Sequence, residues 1–357
     1  MNPQIGQMRL YSQRICGGHF ATAADVVRWM GAMQAQDYGQ SLWAIGTRMQ
    51  SGTVVDVEQA IVDGKILRTW PMRGTIHFVP AEDARWITEL CAIRLETGRA
   101  RRRGQLELDD EAIARCGDIL KEVLADGRLT RSDVLQNIED RGIPMHGQRG
   151  YHVLTHYAQH GMVCIGPMEG KEQTFVLLDQ WVPNLRVLQG DDALSELAER
   201  FFISHGPATE YDLARWAGIT LTEARRGIER ASAQLVTQEI DSTTYWLTQD
   251  VADFTGDEGL YLLAGFDEFL LGYKDRSTVV PEAHADKIVP GNNGMFMPFI
   301  VENGLVVGVW KRKLKKKAVD FTIELFEPKA KLAKRASEQA SIYADFMGLP
   351  VDKIEVL

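Results

Sequence analysis

Between an apolar stretch and a turn at Tyr38-Gly39 the chain carries Gln34, Ala35, Gln36 and Asp37. Each Gln offers a carbonyl acceptor and an NH2 donor, so two of them two residues apart can orient a water and turn carbonyl oxygens toward a growing positive charge. An amide takes up no proton at neutral pH, so such a pair suits a leaving group that is already cationic. Asp37 is an alternative base or electrostatic stabiliser. Both amides can face one groove only if the backbone leaves the helical path between them. The same residues also read as a polar helix terminus in front of a turn, with no chemistry attached.

Other candidates lie further along. Arg73, Thr75 and His77 alternate around a strand turn and would share one face of a hairpin, although a His flanked by Ile76 and Phe78 also reads as structural. Lys274, Asp275 and Arg276 follow an apolar run and read as phosphate contacts or as an exposed salt-bridged loop. From Lys311, Arg312 and Lys313 to Lys317, six residues of seven are basic, and Arg99, Arg101, Arg102 and Arg103 form a second cluster. A net charge of -9 argues against binding nucleic acid by bulk charge, but leaves room for such local patches. His152 and His156 share a helix face without an acidic companion, so no metal site is expected. Phosphate-loop and nucleophile-elbow motifs do not occur.

These residues must be positioned by several small units, since 357 residues with 45% hydrophobic content can bury more than one core. An internal repeat shows what the units are. An amphipathic stretch, Ala112 to Leu124, precedes Gly127, Thr130 and Asp133; another, Leu194 to Ile203, precedes Gly206, Thr209 and Asp212 at identical spacing. Each is followed by another helix, with Thr220 and Glu223 forming a capping box in the second copy. Two β-prone runs around a polar turn then close each copy: helix, helix, helix, hairpin is the winged-helix, or helix-turn-helix, order. A more divergent copy fits the N-terminus. It has helical spacing over residues 23 to 33, 42 to 49 and 54 to 61, then strand-like runs Ile66 to Trp70 and Thr75 to Val79, broken by Pro71 and Gly74. From Gly259 onward β-prone runs dominate, with an Asn303-Gly304 hairpin signal and a helix over 327 to 347, which predicts a small β-barrel or curled sheet. The four scattered cysteines read as reduced, mostly buried thiols, and with no apolar run of membrane length and no signal-like start a cytoplasmic protein is expected.

Three stretches together carry a resemblance. They are Gly31-Ala32-Met33-Gln34-Ala35-Gln36-Asp37 with Trp43 and Arg48 after it, Leu67 through Phe78, and Gly265 through Arg276. With them the chain resembles, over nearly its whole length, the AlkZ-like family of winged-helix DNA glycosylases. The resemblance implies an α+β fold of three tandem winged-helix units followed by a C-terminal β-barrel, C-shaped around a DNA channel. The expected divisions are residues 1–100, 101–185, 186–255 and 256–357. It further implies hydrolysis of the N-glycosidic bond of alkylated purines, and unhooking of interstrand crosslinks in some members, by a Gln, aliphatic, Gln motif that Gln34-Ala35-Gln36 matches. Gln34, Gln36 and Asp37 are then the catalytic candidates. Arg73, Thr75, His77, Lys274, Asp275, Arg276, Lys311, Arg312 and Lys313 are the DNA-binding ones. The implied partner is double-stranded DNA with alkylated bases or crosslinks, met by a nucleoid-associated monomer without metal, cofactor or membrane attachment. Two other readings stay open: a DNA-binding protein without catalysis, and a concave face that binds protein or RNA.

Overall fold

The computed structural model describes the backbone of all 357 residues and the side chains of all but Glu96, Thr97 and Ser232. The fold is α+β, in two compact units: Met1–Glu58 with Ser195–Leu357, and Gln59–Leu194. No helix is long and apolar enough to cross a membrane among the described residues.

The unit Gln59–Leu194 carries the hairpin of strands Ile66–Met72 and Thr75–Pro80. Its turn residues, Arg73 at φ 53° and Gly74 at φ 74°, are both left-handed, the geometry a tight hairpin of matching twist demands. The break expected at Pro71 is absent: the strand runs through it, and the register shifts between Thr69 and Met72 instead. A bulge is where a residue without an N–H costs the ladder nothing. Next to this hairpin, Arg68 pairs with Ile165 of the strand Val163–Ile165, which pairs in turn with Thr174–Leu177, and that with Leu129–Thr130. The helices Asp110–Val123, Arg131–Asp140 and Arg149–Gln159 fall between these strands in the order the repeat predicts. Thr130 caps Arg131–Asp140 by accepting the Asp133 N–H at 3.1 Å.

In the other unit the helices Glu210–Ala217 and Leu221–Ala231 precede a two-stranded hairpin, Val236–Ile240 with Thr243–Leu247. Both helices start on reciprocal caps, Thr209 with Asp212 and Thr220 with Glu223. The C-terminal strands form a five-stranded sheet in the order Val351–Val356, Val319–Leu325, Leu305–Leu314, Phe299–Glu302, Leu260–Leu263. Asn303 (φ 51°) and Gly304 (φ 79°) make the predicted hairpin turn. A Cβ on Gly304 would lie 2.6 Å from the Pro3 carbonyl oxygen, so only glycine lets this turn meet the N-terminal helix Pro3–Ser12.

The β-barrel expected at the C-terminus is not closed: among the described residues no ladder joins Val351–Val356 to Leu260–Leu263. The last strand follows the helix Ala330–Met347 and pairs parallel with Val319–Leu325, which places it at the outer edge. That helix buries Leu332, Ala336, Ala340, Tyr343 and Ala344 and packs against the sheet, doing the covering that closure would have done. Leu263, Phe269, Leu270, Phe299, Val301, Val306 and Val309 belong to the core of this unit. All four cysteines are free and buried, and burial pushes the thiols of Cys16 and Cys164 up to about 12 and that of Cys116 to about 11.

Candidate active site

The helix Ala23–Met30 ends at Gly31, whose φ of 74° turns the chain out of the helical path. Met33–Gln34 is then extended, and the next helix, Tyr38–Gly46, begins on Asp37, whose Oδ1 accepts the Gln40 N–H at 3.1 Å. Gln34, Ala35 and Gln36 thus occupy a short non-helical link between two helices, the departure that the two amides require. Their environments differ. Gln34 is buried, 7% exposed, whereas Gln36 and Asp37 are exposed. The Gln36 backbone N–H donates to Gln34 Oε1 at 3.1 Å. Because a backbone N–H can only donate, this bond fixes the orientation of the Gln34 amide: its oxygen faces Gln36 and its NH2 points elsewhere.

Beneath the link lies a buried polar network. The Gln34 backbone N–H donates to Glu268 Oε1 at 2.9 Å, and the Trp216 indole N–H to Glu268 Oε2 at 3.0 Å. His205, fully buried, places Nε2 3.7 Å from the same oxygen, too far for a hydrogen bond. Burial pushes the His205 pKa down from its ordinary value, Glu268 opposes that, and the imidazole is held neutral. The preceding carboxylate, Asp267, pairs bidentately with Arg48 at 2.9 and 3.0 Å, both side chains fully buried. Arg48 also donates to the Gln13 carbonyl, the Gln13 side chain and the Ala44 carbonyl, which engages every one of its N–H groups. Gln40 Oε1 accepts the Gly265 N–H at 3.1 Å. The stretch Gly265 to Glu268 is therefore the floor on which the link and the start of the Tyr38–Gly46 helix rest. Sequence reasoning missed Glu268, Trp216 and His205. The available signal was two adjacent carboxylates inside an apolar run from Leu262 to Leu271, since buried charges demand partners.

Arg312, half-buried, lies over the Tyr343 ring with its guanidinium carbon 5.2 Å from the centroid. A Cβ on Gly39 would lie 3.1 Å from Arg312 Nη2 and 3.8 Å from Asp37 Oδ1, so a glycine after the cap lets this cation approach the end of the link. Lys311 and Lys313 flank it, exposed. Lys274 is exposed and sits over the Tyr211 ring at 5.1 Å; Asp275 accepts the Ser277 N–H; Arg276 is half-buried and donates to the Leu270 carbonyl. In the unit Gln59–Leu194, His77 is fully buried. Its Nδ1 is 3.0 Å from the Thr75 carbonyl and its Nε2 3.2 Å from Arg73 Nη2, so Nδ1 carries the proton and Nε2 accepts from the guanidinium. That arrangement holds the hairpin tip and requires a neutral imidazole. In the same unit the His152 pKa is pushed down, by burial first and then by Arg99, Arg102 and Arg103.

The fold is thus α+β, with two amides on a short link between helices. The family model described as DNA glycosylase AlkZ-like matches residues 27–346, and the chain belongs to that family of DNA glycosylases. An interstrand DNA cross-link repair glycosylase from Streptomyces sahachiroi is 25% identical over 307 residues, which cover 81% of this chain and 82% of the relative. The solved structure of the Streptomyces sahachiroi DNA glycosylase AlkZ superposes with a TM-score of 0.84 over 100% of both chains, at 21% identity, a likeness of fold.

Proposed function

We propose that this glycosylase hydrolyses the N-glycosidic bond of purines made cationic by alkylation at N7 or N3, in double-stranded DNA, and unhooks crosslinks built on such bases. It would do so as a monomer, with the lesion turned out of the base stack. Three winged-helix units at residues 1–100, 101–185 and 186–255, and the C-terminal sheet of 256–357, would each contribute residues that meet DNA. The observation that carries the reading is the asymmetric amide pair. Gln36 is exposed and held by its own backbone N–H, while Gln34 is buried with its oxygen already committed to Gln36. On this reading the Gln36 carbonyl faces the sugar as it gains positive charge, the Gln34 NH2 orients the water, and Asp37 adds negative charge beside them. No group in the trio is suited to protonating a neutral base, so the substrate must bring its own positive charge.

For DNA contacts, the exposed Lys274, Lys311 and Lys313 suit phosphates, with Arg312 next to the link. Asp275 and Arg276 shape the loop that carries Lys274. Arg73, Thr75 and His77 belong to a hairpin tip whose half-buried Arg73 would meet a phosphate, with His77 as its support. A duplex carrying one N7-methylguanine tests the proposal. The wild-type protein is expected to release free base and leave an abasic site. The Gln34→Ala, Gln36→Ala double variant should lose about 100-fold or more in rate with duplex affinity kept, about 2.7 kcal/mol of transition-state stabilisation. A protein that binds the duplex but frees no base from it or from a crosslinked duplex is a DNA-binding protein without this catalysis. Unchanged turnover in the double variant overturns the site.

A further inference from the structure

Glu268 is only 1% exposed, and its two oxygens receive donors from separate parts of the chain, the Gln34 backbone N–H and the Trp216 indole. The charge of its neighbour Asp267 is met by Arg48. A carboxylate receiving neutral N–H donors makes bonds roughly twice as strong as a neutral acceptor would. The two bonds in sequence, Gln34 N–H to Glu268 and Gln36 N–H to Gln34 Oε1, form a relay from the buried floor to the exposed amide. We infer that Glu268 is the positioning residue of the amide pair: it fixes the Gln34 backbone and, through the Gln34 side chain, sets where the Gln36 amide stands. It touches no substrate atom. This assignment rests on the proposed role of Gln34 and Gln36.

The need for a carboxylate has a checkable logic. An amide at position 268 has one acceptor oxygen and one NH2, so a Gln there would turn its NH2 against either the Gln34 N–H or the Trp216 N–H. Glu268→Gln is therefore expected to be harmful although it preserves shape. Removing the second donor with Trp216→Phe relieves the conflict and leaves the amide oxygen free for Gln34. In single-turnover excision from the N7-methylguanine duplex, Glu268→Ala and Glu268→Gln should each be about 30-fold slower than wild type, with duplex Kd within about twofold. Trp216→Phe alone takes one donor from the buried Glu268 carboxylate and should be slower than wild type by up to about threefold, and the Glu268→Gln, Trp216→Phe pair should recover to within about fivefold of wild type. A Glu268→Gln rate equal to wild type, or a pair no faster than Glu268→Gln alone, overturns the assignment.

A second measurement does not depend on catalysis. Backbone amide exchange at Gln34 should accelerate about tenfold in Glu268→Gln and return toward the wild-type value in the pair, because the strength of that one bond sets the local opening. Unchanged exchange at Gln34 overturns the assignment even where Glu268→Ala does not fold. The two readings fail separately. Wild-type rate in the Gln34→Ala, Gln36→Ala variant removes the catalytic site; a dead variant beside fully active Glu268 variants removes only the positioning role.

Discussion

The two links of the repeat and the link after the helix Ala23–Met30 each pass through a glycine to a capped helix, and the last of these differs. Gly127 leads to the cap Thr130 and Gly206 to the cap Thr209, each three residues on. Gly31 leads to the cap Asp37 six residues on. All three caps do the same work, accepting an N–H three residues ahead at 3.1 to 3.2 Å. The N-terminal link has the construction of the other two with three residues added, and Gln34, Ala35 and Gln36 lie in the lengthened part. In the short links the residue before the cap is paired with a strand, Leu129 with Phe175 and Ala208 with Trp246. The longer one has backbone to present, and it is the one with Glu268 bonded beneath it. Regular repetition maintains the fold, and the departure from it is where chemistry can be placed.

The comparison can be broken first at the floor. Arg48→Met leaves Asp267 buried without its cation, and should cost about 3–5 kcal/mol in urea unfolding, because an uncompensated buried charge replaces a bidentate pair. A loss below about 1 kcal/mol would show that the link needs no such floor. The caps give a smaller and sharper contrast. Asp37→Ala, Thr130→Ala and Thr209→Ala should each lose about 1 kcal/mol of stability. Only Asp37→Ala should also slow base excision. Asp37→Asn, which keeps a capping oxygen, should restore the stability, and its rate then reports what the charge contributes. Equal slowing by Thr130→Ala would dissolve the distinction between the links.

The smallest effect is in the pH dependence. The folded pKa of His205 lies below its ordinary value of 6.5, so the unfolded chain binds the extra proton more readily. The associated stability is complete above about pH 6.5 and is lost as pH falls toward the folded pKa. His152 is shifted in the same direction but is only half-buried. Thermal unfolding followed from pH 7.5 to 5 should therefore drop more in wild type than in His205→Gln, with His152→Gln changing the slope less. Identical slopes in all three proteins would remove the histidine from the account.

Local signals carried much of the fold. The Thr130, Thr209 and Thr220 caps and the Asn303-Gly304 turn each depend on residues a few positions apart, and the structure places them where the sequence does. What was not legible depends on distance along the chain. The Gln34 to Glu268 bond spans 234 positions and the Arg48 to Asp267 pair 219, and no period or spacing records either. The strand Val351–Val356 was missed for a related reason: it shows no clean alternation, and its pairing is parallel with a partner reached across a helix. The closed barrel failed with it, because alternating runs predict strands but not whether the first meets the last.

The buried thiols have a consequence for the conditions in which such an enzyme works. Electrophiles that modify purine nitrogens attack thiolates far faster than protonated thiols. Here Cys16, Cys116 and Cys164 stay protonated well past neutral pH, and all four cysteines are closed off from solvent. The thiols of the folded chain are thus slow to react with the agents that would create its proposed substrates, which closes one route by which those agents could inactivate it.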